Sequence, residues 1–190
     1  MTDPFKAKPF AVGPASAMSS YLDAMDARLR AAGVRHFHAR EVMLLRKAPH
    51  GPIYAAPPID QWDDLVGVCR YVAEPLREMI GVPLKVLNGY RPPDYNRSVK
   101  GASRSSHIIS CALDLTCGDA DEDGDIDSAD RAILRAHAAD LYVELADQRI
   151  GVGFYWGNVH VEWGRRRLSY ASRGSNLDER EIAAARKRAR

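Results

Sequence analysis

The sequence predicts an α+β fold: a single domain in which a small antiparallel sheet carries the site and helices flank it. Three observations lead there. The 190 residues are 46% hydrophobic and 27% charged, a balance that suits one globular domain with a real core. Apolar residues recur at helical spacing early in the chain. Short β-rich runs gather later, between residues 84 and 163.

Residues 1–17, rich in Pro, Ala and Gly, read as an extended lead-in. A helix follows over Ser19–Ala32, where Leu22, Met25, Leu29 and Ala32 share a face and Gly33 ends it. The run HAREVML makes one short helix, and residues 47–60, with four prolines and a glycine, read as a loop. Asp60 to Ile80 is a strong helical pattern that Pro75 bends and Gly81 stops. LKVLN (84–88) is a strand leading into the turn GYRPP, and CALDLT (111–116) is a second strand. A long amphipathic helix runs from Ala129 to Gln148. IGVGFY (150–155) and NVHVEW (158–163) form a hairpin about Trp156–Gly157. Leu177 to Arg190 is a basic helical tail. The organisation is thus a lead-in (1–17), a body (18–170) with an insertion at 119–130, and a tail (171–190).

The formal charge of +2 hides an uneven distribution. Seven of the 25 acids lie between Asp119 and Asp130, with no base among them, so the rest of the chain is distinctly basic. A basic body suits an anionic partner such as a wall polymer, nucleic acid or membrane surface. Cys69, Cys111 and Cys117 are an odd number and read as buried thiols, not a disulfide framework. No run approaches the roughly 18 apolar residues of a membrane span. The first residues lack the apolar core of a signal peptide, so either no signal is made or one has been removed.

Three groups with ligand chemistry sit on or beside predicted strands. His107 precedes CALDLT, Asp114 interrupts its apolar run, and His160 is central to NVHVEW. A buried carboxylate is costly unless it is paired or metal-bound. Two His and one Asp are the ligand count that a hydrolytic zinc takes when one position stays open for water.

The runs GYRPPDYNRSVKGASRSSHIISCALDL (89–115) and GVGFYWGNVHVEWG (151–164) resemble the zinc D-Ala-D-Ala carboxypeptidases. That family shares its fold and metal site with murein endopeptidases and the hedgehog signalling domain. Its pattern is GYR, then S-x-H-x6-D, then a distal strand with the last His. Here these are Gly89, Tyr90 and Arg91, then Ser105, His107 and Asp114, then His160; FHAREV (37–42) resembles the family's first helix. The resemblance implies zinc on His107, Asp114 and His160, and Arg91 holding a substrate carboxylate or the developing oxyanion. Ser105 would bind substrate or order the loop before His107. The implied substrate is a D-amino-acid-containing peptidoglycan peptide. The chain is expected to be a monomer with no nucleic-acid partner, placed in the cell envelope or outside the cell, a phage lysin included.

Two positions depart from the family. Ser110 stands where a Gly is usual, which is tolerable unless the backbone needs positive φ. Gly157 stands three residues before the last His, where many members carry an acid. Glu162 shares a strand face with His160. It is expected to act as the general base on the attacking water, or else to orient a ligand histidine. An inactive metal- or wall-binding relative is the competing expectation.

DADEDGDIDSAD (119–130) has EF-hand spacing. Counting Asp119 as position 1, Asp121, Asp123, Asp125, Asp127 and Asp130 fall at 3, 5, 7, 9 and 12, with Gly124 at 6. Asp at position 12 resembles dockerin loops. Calcium is the expected ion, in a structural role; a calcium-dependent docking module is the weaker reading, since only one copy is present.

Overall fold

The computed structural model describes residues 10–146, 148–164, 168–171 and 177–189. Most of the lead-in, together with Arg165 to Arg167 and Arg190 of the basic segments, lies outside the described residues.

A three-stranded antiparallel sheet opens the fold, built from β1 (Ala11–Pro14), β2 (Leu44–Ala48) and β3 (Gly51–Ala56) in the order β1-β3-β2. This corrects the loop expected over 47–60. Its prolines sit where a strand tolerates them: Pro49 in the turn, Pro52 at the start of β3, and Pro57 and Pro58 beyond its end. Helix α1 (Ala15–Ala31) packs on this sheet through Met18, Leu22, Met25 and Leu29, all buried and on one face. The short α2 (Ala39–Val42) follows.

The long helical pattern is divided as Pro75 requires. Helix α3 (Trp62–Val68) passes through a π turn (Cys69–Ala73) into α4 (Glu74–Ile80). Proline lacks an N–H and its ring crowds the carbonyl one turn back, and the wider turn accommodates both defects. Glu74 is buried there and binds the chain after α1: it accepts from the Arg35 and His36 amides at 2.7 and 2.6 Å and pairs with His36 Nδ1 at 2.8 Å.

The second sheet carries the site. Its strands are β4 (Leu84–Asn88), β5 (Ala112–Cys117), β6 (Ile150–Phe154), β7 (Val159–Trp163) and β8 (Leu168–Ala171), in the order β4-β5-β7-β6-β8. Four strands are antiparallel as expected, but β8 pairs parallel to β6, so the sheet is mixed. Between β4 and β5 lies α5 (Pro93–Ser98); α6 (Ser128–Glu144) and α7 (Leu177–Arg188) pack against each other.

One core joins these elements. It runs from Met18 of α1 through Leu65, Leu113, Leu115 and Val161 to Ile182 of α7, so the basic tail is docked by its apolar face. Fully burying a leucine such as Leu113 or Leu115 contributes about 1.5–3 kcal/mol. All three cysteines are buried free thiols. Among the described residues no helix is long and apolar enough to cross a membrane.

Candidate metal centre

A row of side chains crosses the second sheet. The register pairs Asn88 with Asp114, Asp114 with His160, His160 with Gly153, and Gly153 with Tyr170. Directly paired residues share a face, so four strands place the polar side chains of Asn88, Asp114, His160 and Tyr170 on one rung, with Gly153 of β6 between the last two. In β5 the alternation that buries Leu113 and Leu115 in the core turns Asp114 to the opposite face. His160 and Glu162 share that face by the same rule.

His107 joins the rung from a 3₁₀ turn (Ser106–Ile109) just before β5. Ser105 caps this turn, its Oγ accepting from the His107 amide at 3.4 Å. Ser110 closes it in the left-handed region at φ 63°. The departure from glycine therefore carries strain, of roughly 1–2 kcal/mol. A buried hydrogen bond from Ser110 Oγ to Gln61 Oε1, 2.9 Å, offsets part of it.

The GYR segment has a division of labour. Gly89 runs so close to α2 that a Cβ would lie 1.9 Å from the Val42 carbonyl oxygen, which only glycine escapes. Tyr90 is buried beside Leu45 and Ala55. The Arg91 amide donates to the His107 carbonyl at 3.0 Å, tying this segment to the histidine turn.

The side chains then converge. The Gly89 carbonyl can only accept, so His107 Nδ1 donates to it at 2.7 Å and its Nε2 carries the lone pair. That Nε2 lies 3.3 Å from Asp114 Oδ1, and His160 Nδ1 lies 2.8 Å from the same oxygen. Asp114 Oδ2 accepts from Arg91 Nη2 at 2.8 Å and Asn88 Nδ2 at 2.9 Å. On its far side, His160 Nε2 meets Glu162 Oε1 at 3.0 Å, and Ser106 Oγ donates to that same oxygen at 2.6 Å.

Burial alone raises the Asp114 carboxyl, but its interactions with His107 and His160 outweigh it and hold the group far below the usual carboxylate range. Burial pushes His107 down, so it favours the neutral ring that a metal requires. Burial also opposes charge on His160, yet its bonds to Asp114 and Glu162 bring the net shift upward.

The three inner atoms fit a metal. One ligand atom each from His107, Asp114 and His160 lies within 4.8 Å of the others. The outer ring nitrogens are engaged by a backbone carbonyl and a carboxylate, the arrangement that orients ligand histidines. A cation held here would take the place of the proton between His160 Nδ1 and Asp114 Oδ1.

The group opens onto a cleft of about 730 Å³. Its walls include Arg91, Arg104, Ser105, Asn158, Tyr155 and Tyr170. Arg91 stands where the GYR motif suggested, but it also forms the Asp114 ion pair, so it is not free of a structural role. Glu162 contacts the histidine nitrogen remote from the convergence point. Gly157 sits at the hairpin turn, its carbonyl accepting from Thr116 Oγ1 at 3.2 Å. Sequence reasoning missed Asn88, Ser106, Tyr155 and Tyr170. The signal for the last was the Gly-Val-Gly of β6: a Cβ on Gly153 would lie 2.5 Å from the Tyr170 ring.

The acidic insertion lies beyond β5. Asp119, Asp121 and Asp123 bring carboxylate oxygens within 4.8 Å of one another. Asp119 Oδ2 accepts from the Gly124 amide at 2.9 Å, while its Oδ1 is buried without a hydrogen-bond partner among the described residues. Asp125 and its neighbours are exposed. Asp127 caps α6, accepting from Ala129 at 2.6 Å. Asp130, expected as the twelfth-position ligand, is buried and spends both oxygens on the amides of Ala120 and Asp127, so it clamps the ends of the loop together.

Residues 35–137, more than half of the chain, match the family model described as Peptidase M15. The matched span includes Arg91, Ser105, His107 and Asp114; His160 and Glu162 follow it and reach the site through the register of β7. No curated protein matches the chain. The α+β fold, the convergent His107–Asp114–His160 group and the family match agree, and the chain belongs to the Peptidase M15 family of zinc-dependent metallopeptidases.

Proposed function

We propose that this chain is a zinc peptidase of the bacterial cell wall, cleaving D-amino-acid-containing peptidoglycan peptides as a carboxypeptidase or a cross-link endopeptidase. The observation that carries the reading is the convergence of His107 Nε2, Asp114 Oδ1 and His160 Nδ1 at the floor of an open cleft beside Arg91. These three residues hold the zinc. When bound, zinc supplies Lewis acidity, acidifying water and polarising the scissile carbonyl.

Arg91 holds Asp114 in place through one nitrogen and offers the rest of its fork to a substrate carboxylate or to the carbonyl oxygen as it gains charge. Ser105 fixes the His107 turn at the cleft wall. Glu162 orients His160 through Nε2, with Ser106 fixing the carboxylate; these contacts favour the positioning role over that of general base. The basic character of the chain outside the acidic insertion favours an anionic wall, and with it an envelope or extracellular setting. Synthetic peptides decide between the two activities. Release of a terminal D-Ala marks a carboxypeptidase, scission of a bridged dimer marks an endopeptidase, and no hydrolysis of either by zinc-loaded protein contradicts the proposal.

Arg91→Lys keeps the charge but loses the fork. Losing one charge-assisted hydrogen bond costs about 1.5–3 kcal/mol, so kcat/KM should fall about 10- to 100-fold with zinc content retained. Unchanged kinetics would remove Arg91 from substrate recognition.

One observation favours a second reading, an inactive metal-binding or wall-binding module. Gly157 offers no acid, and Glu162 is engaged by His160 and Ser106. The same peptide assay separates the two.

We also propose that the 119–130 loop binds calcium as a structural ion, through Asp119, Asp121 and Asp123. Support comes from the EF-hand spacing and from the unpartnered Asp119 Oδ1 among clustered carboxylates. At a hundredfold excess over Kd, calcium should raise Tm by roughly 5–10 °C. Asp123→Ala should abolish that rise and leave the calcium-free Tm unchanged, with zinc held constant. An equal destabilisation with and without calcium contradicts the assignment.

A further inference from the structure

Two tyrosines on the cleft wall are unused by the account so far. Tyr170 comes from β8 and shares the rung with Asp114 and His160. Its ring lies 5.8 Å from the His160 ring, centroid to centroid. Tyr155 leaves β6 at the hairpin and meets Tyr170 edge-on at 6.3 Å. The two phenols lie close enough that each perturbs the other's ionisation.

The backbone is built to hold this arrangement. A Cβ on Gly153 would come within 2.5, 2.7 and 3.0 Å of Tyr170 Cε2, Cζ and the hydroxyl oxygen. Glycine at this point gives the Tyr170 ring and hydroxyl room to lie over β6, in the wall of the cleft. A phenylalanine would fill the same space, so packing alone does not account for the hydroxyl. Each of the two carries a hydroxyl proton that it can donate.

We infer that Tyr155 and Tyr170 form a paired hydroxyl arm that donates a hydrogen bond to the carbonyl oxygen of the scissile peptide as that oxygen becomes negative. The inference rests on the peptidase reading above. When hydroxide adds, its lone pair bonds to the carbonyl carbon, the π pair of the C=O bond moves to the carbonyl oxygen, and the negative charge passes from the hydroxide to that oxygen. The tyrosine proton stays on its phenol throughout. The gain comes from a donor already aimed where the charge develops. Arg91 already spends one nitrogen on Asp114, so a second, neutral donor lining the same cleft complements it.

The test uses a phosphinate pseudopeptide, in which a tetrahedral anionic phosphorus group replaces the scissile D-Ala-D-Ala amide, and the corresponding product peptide. Titration calorimetry on zinc-loaded full-length protein reads both affinities. Tyr170→Phe keeps the ring against Gly153 and removes only the hydroxyl, and Tyr155→Phe does the same for its partner. Each variant should bind the phosphinate about 10²-fold more weakly or worse, the scale of one lost oxyanion donor. Affinity for the product peptide, zinc content and Tm should stay at the wild-type level. The double variant should be little worse than either single one, because the pair acts as a unit.

Phosphinate affinity that survives both substitutions overturns the inference. So does a parallel loss for phosphinate and product, which marks a packing role, and so does a wild-type protein that does not bind the phosphinate. Hydrolysis in the same samples tests the peptidase reading separately. Tight, hydroxyl-dependent phosphinate binding without turnover would contradict that reading while supporting the hydroxyl arm.

Discussion

Asp114→Ala is expected to abolish zinc binding and hydrolysis together. The carboxylate is the hub of the site. Oδ1 faces both histidines, at 3.3 and 2.8 Å, while Oδ2 anchors Arg91 and Asn88. Its removal leaves two neutral ligands and a largely buried guanidinium without its counter-ion. A metal Lewis acid contributes several kcal/mol to the transition state, so the rate should fall by about 10³-fold or more. Excess zinc should not restore it. Asp114→Asn keeps the shape and the contacts to the second oxygen position, so it separates lost coordination from lost folding. Metal content by mass spectrometry, with circular dichroism on both variants, checks the result. Stoichiometric zinc in Asp114→Ala would refute the ligand set.

Glu162→Gln separates the two roles that the sequence allowed for this carboxylate. In the structure Glu162 Oε1 is held between Ser106 Oγ and His160 Nε2, at 2.6 and 3.0 Å. It lies across the imidazole from Asp114. A carboxylate there fixes the tautomer of the ligand and strengthens it as a donor. Glutamine retains the size but not the charge. Zinc affinity should therefore drop about 10- to 100-fold, and activity should return when zinc is supplied in excess. Ser106→Ala should give a smaller loss of the same kind, since it removes one hydrogen bond to the same oxygen. If instead zinc affinity holds while kcat falls by about 10²-fold, Glu162 is the general base and the orienting role fails.

Much of the site was legible because it sits on local patterns. Asp114 stood out as a carboxylate inside the apolar run CALDLT, and strand alternation does turn it away from Leu113 and Leu115. His160 and Glu162 were placed on one face by the two-residue period alone. The long helix was expected to bend at Pro75, and it passes through a π turn over Cys69–Ala73 just before that residue. Other features depend on distant partners. The β2–β3 hairpin was hidden by its prolines, whose tolerance depends on which strand positions need an amide donor. Tyr170 lies on a short strand whose parallel pairing with β6 has no local signature. Ser106 and Glu162 are 56 positions apart, and nothing in either neighbourhood announces their contact. The strain at Ser110 appears only with its φ of 63°. The acidic loop is a different case: its spacing suggested that Asp130 ligates, and in the fold both of its oxygens accept from amides at the ends of the loop, a role its spacing did not announce.

The most direct test of the central claim is mass spectrometry of peptidoglycan fragments after incubation with the zinc-loaded protein, with Asp114→Ala as control. A wall peptidase should convert stem peptides to species one D-Ala shorter, or cross-linked dimers to monomers, and the variant should leave the profile unchanged. The glycan strands should stay intact in both. An unaltered profile with fully zinc-loaded wild-type protein, or identical cleavage by the Asp114→Ala variant, would contradict the account.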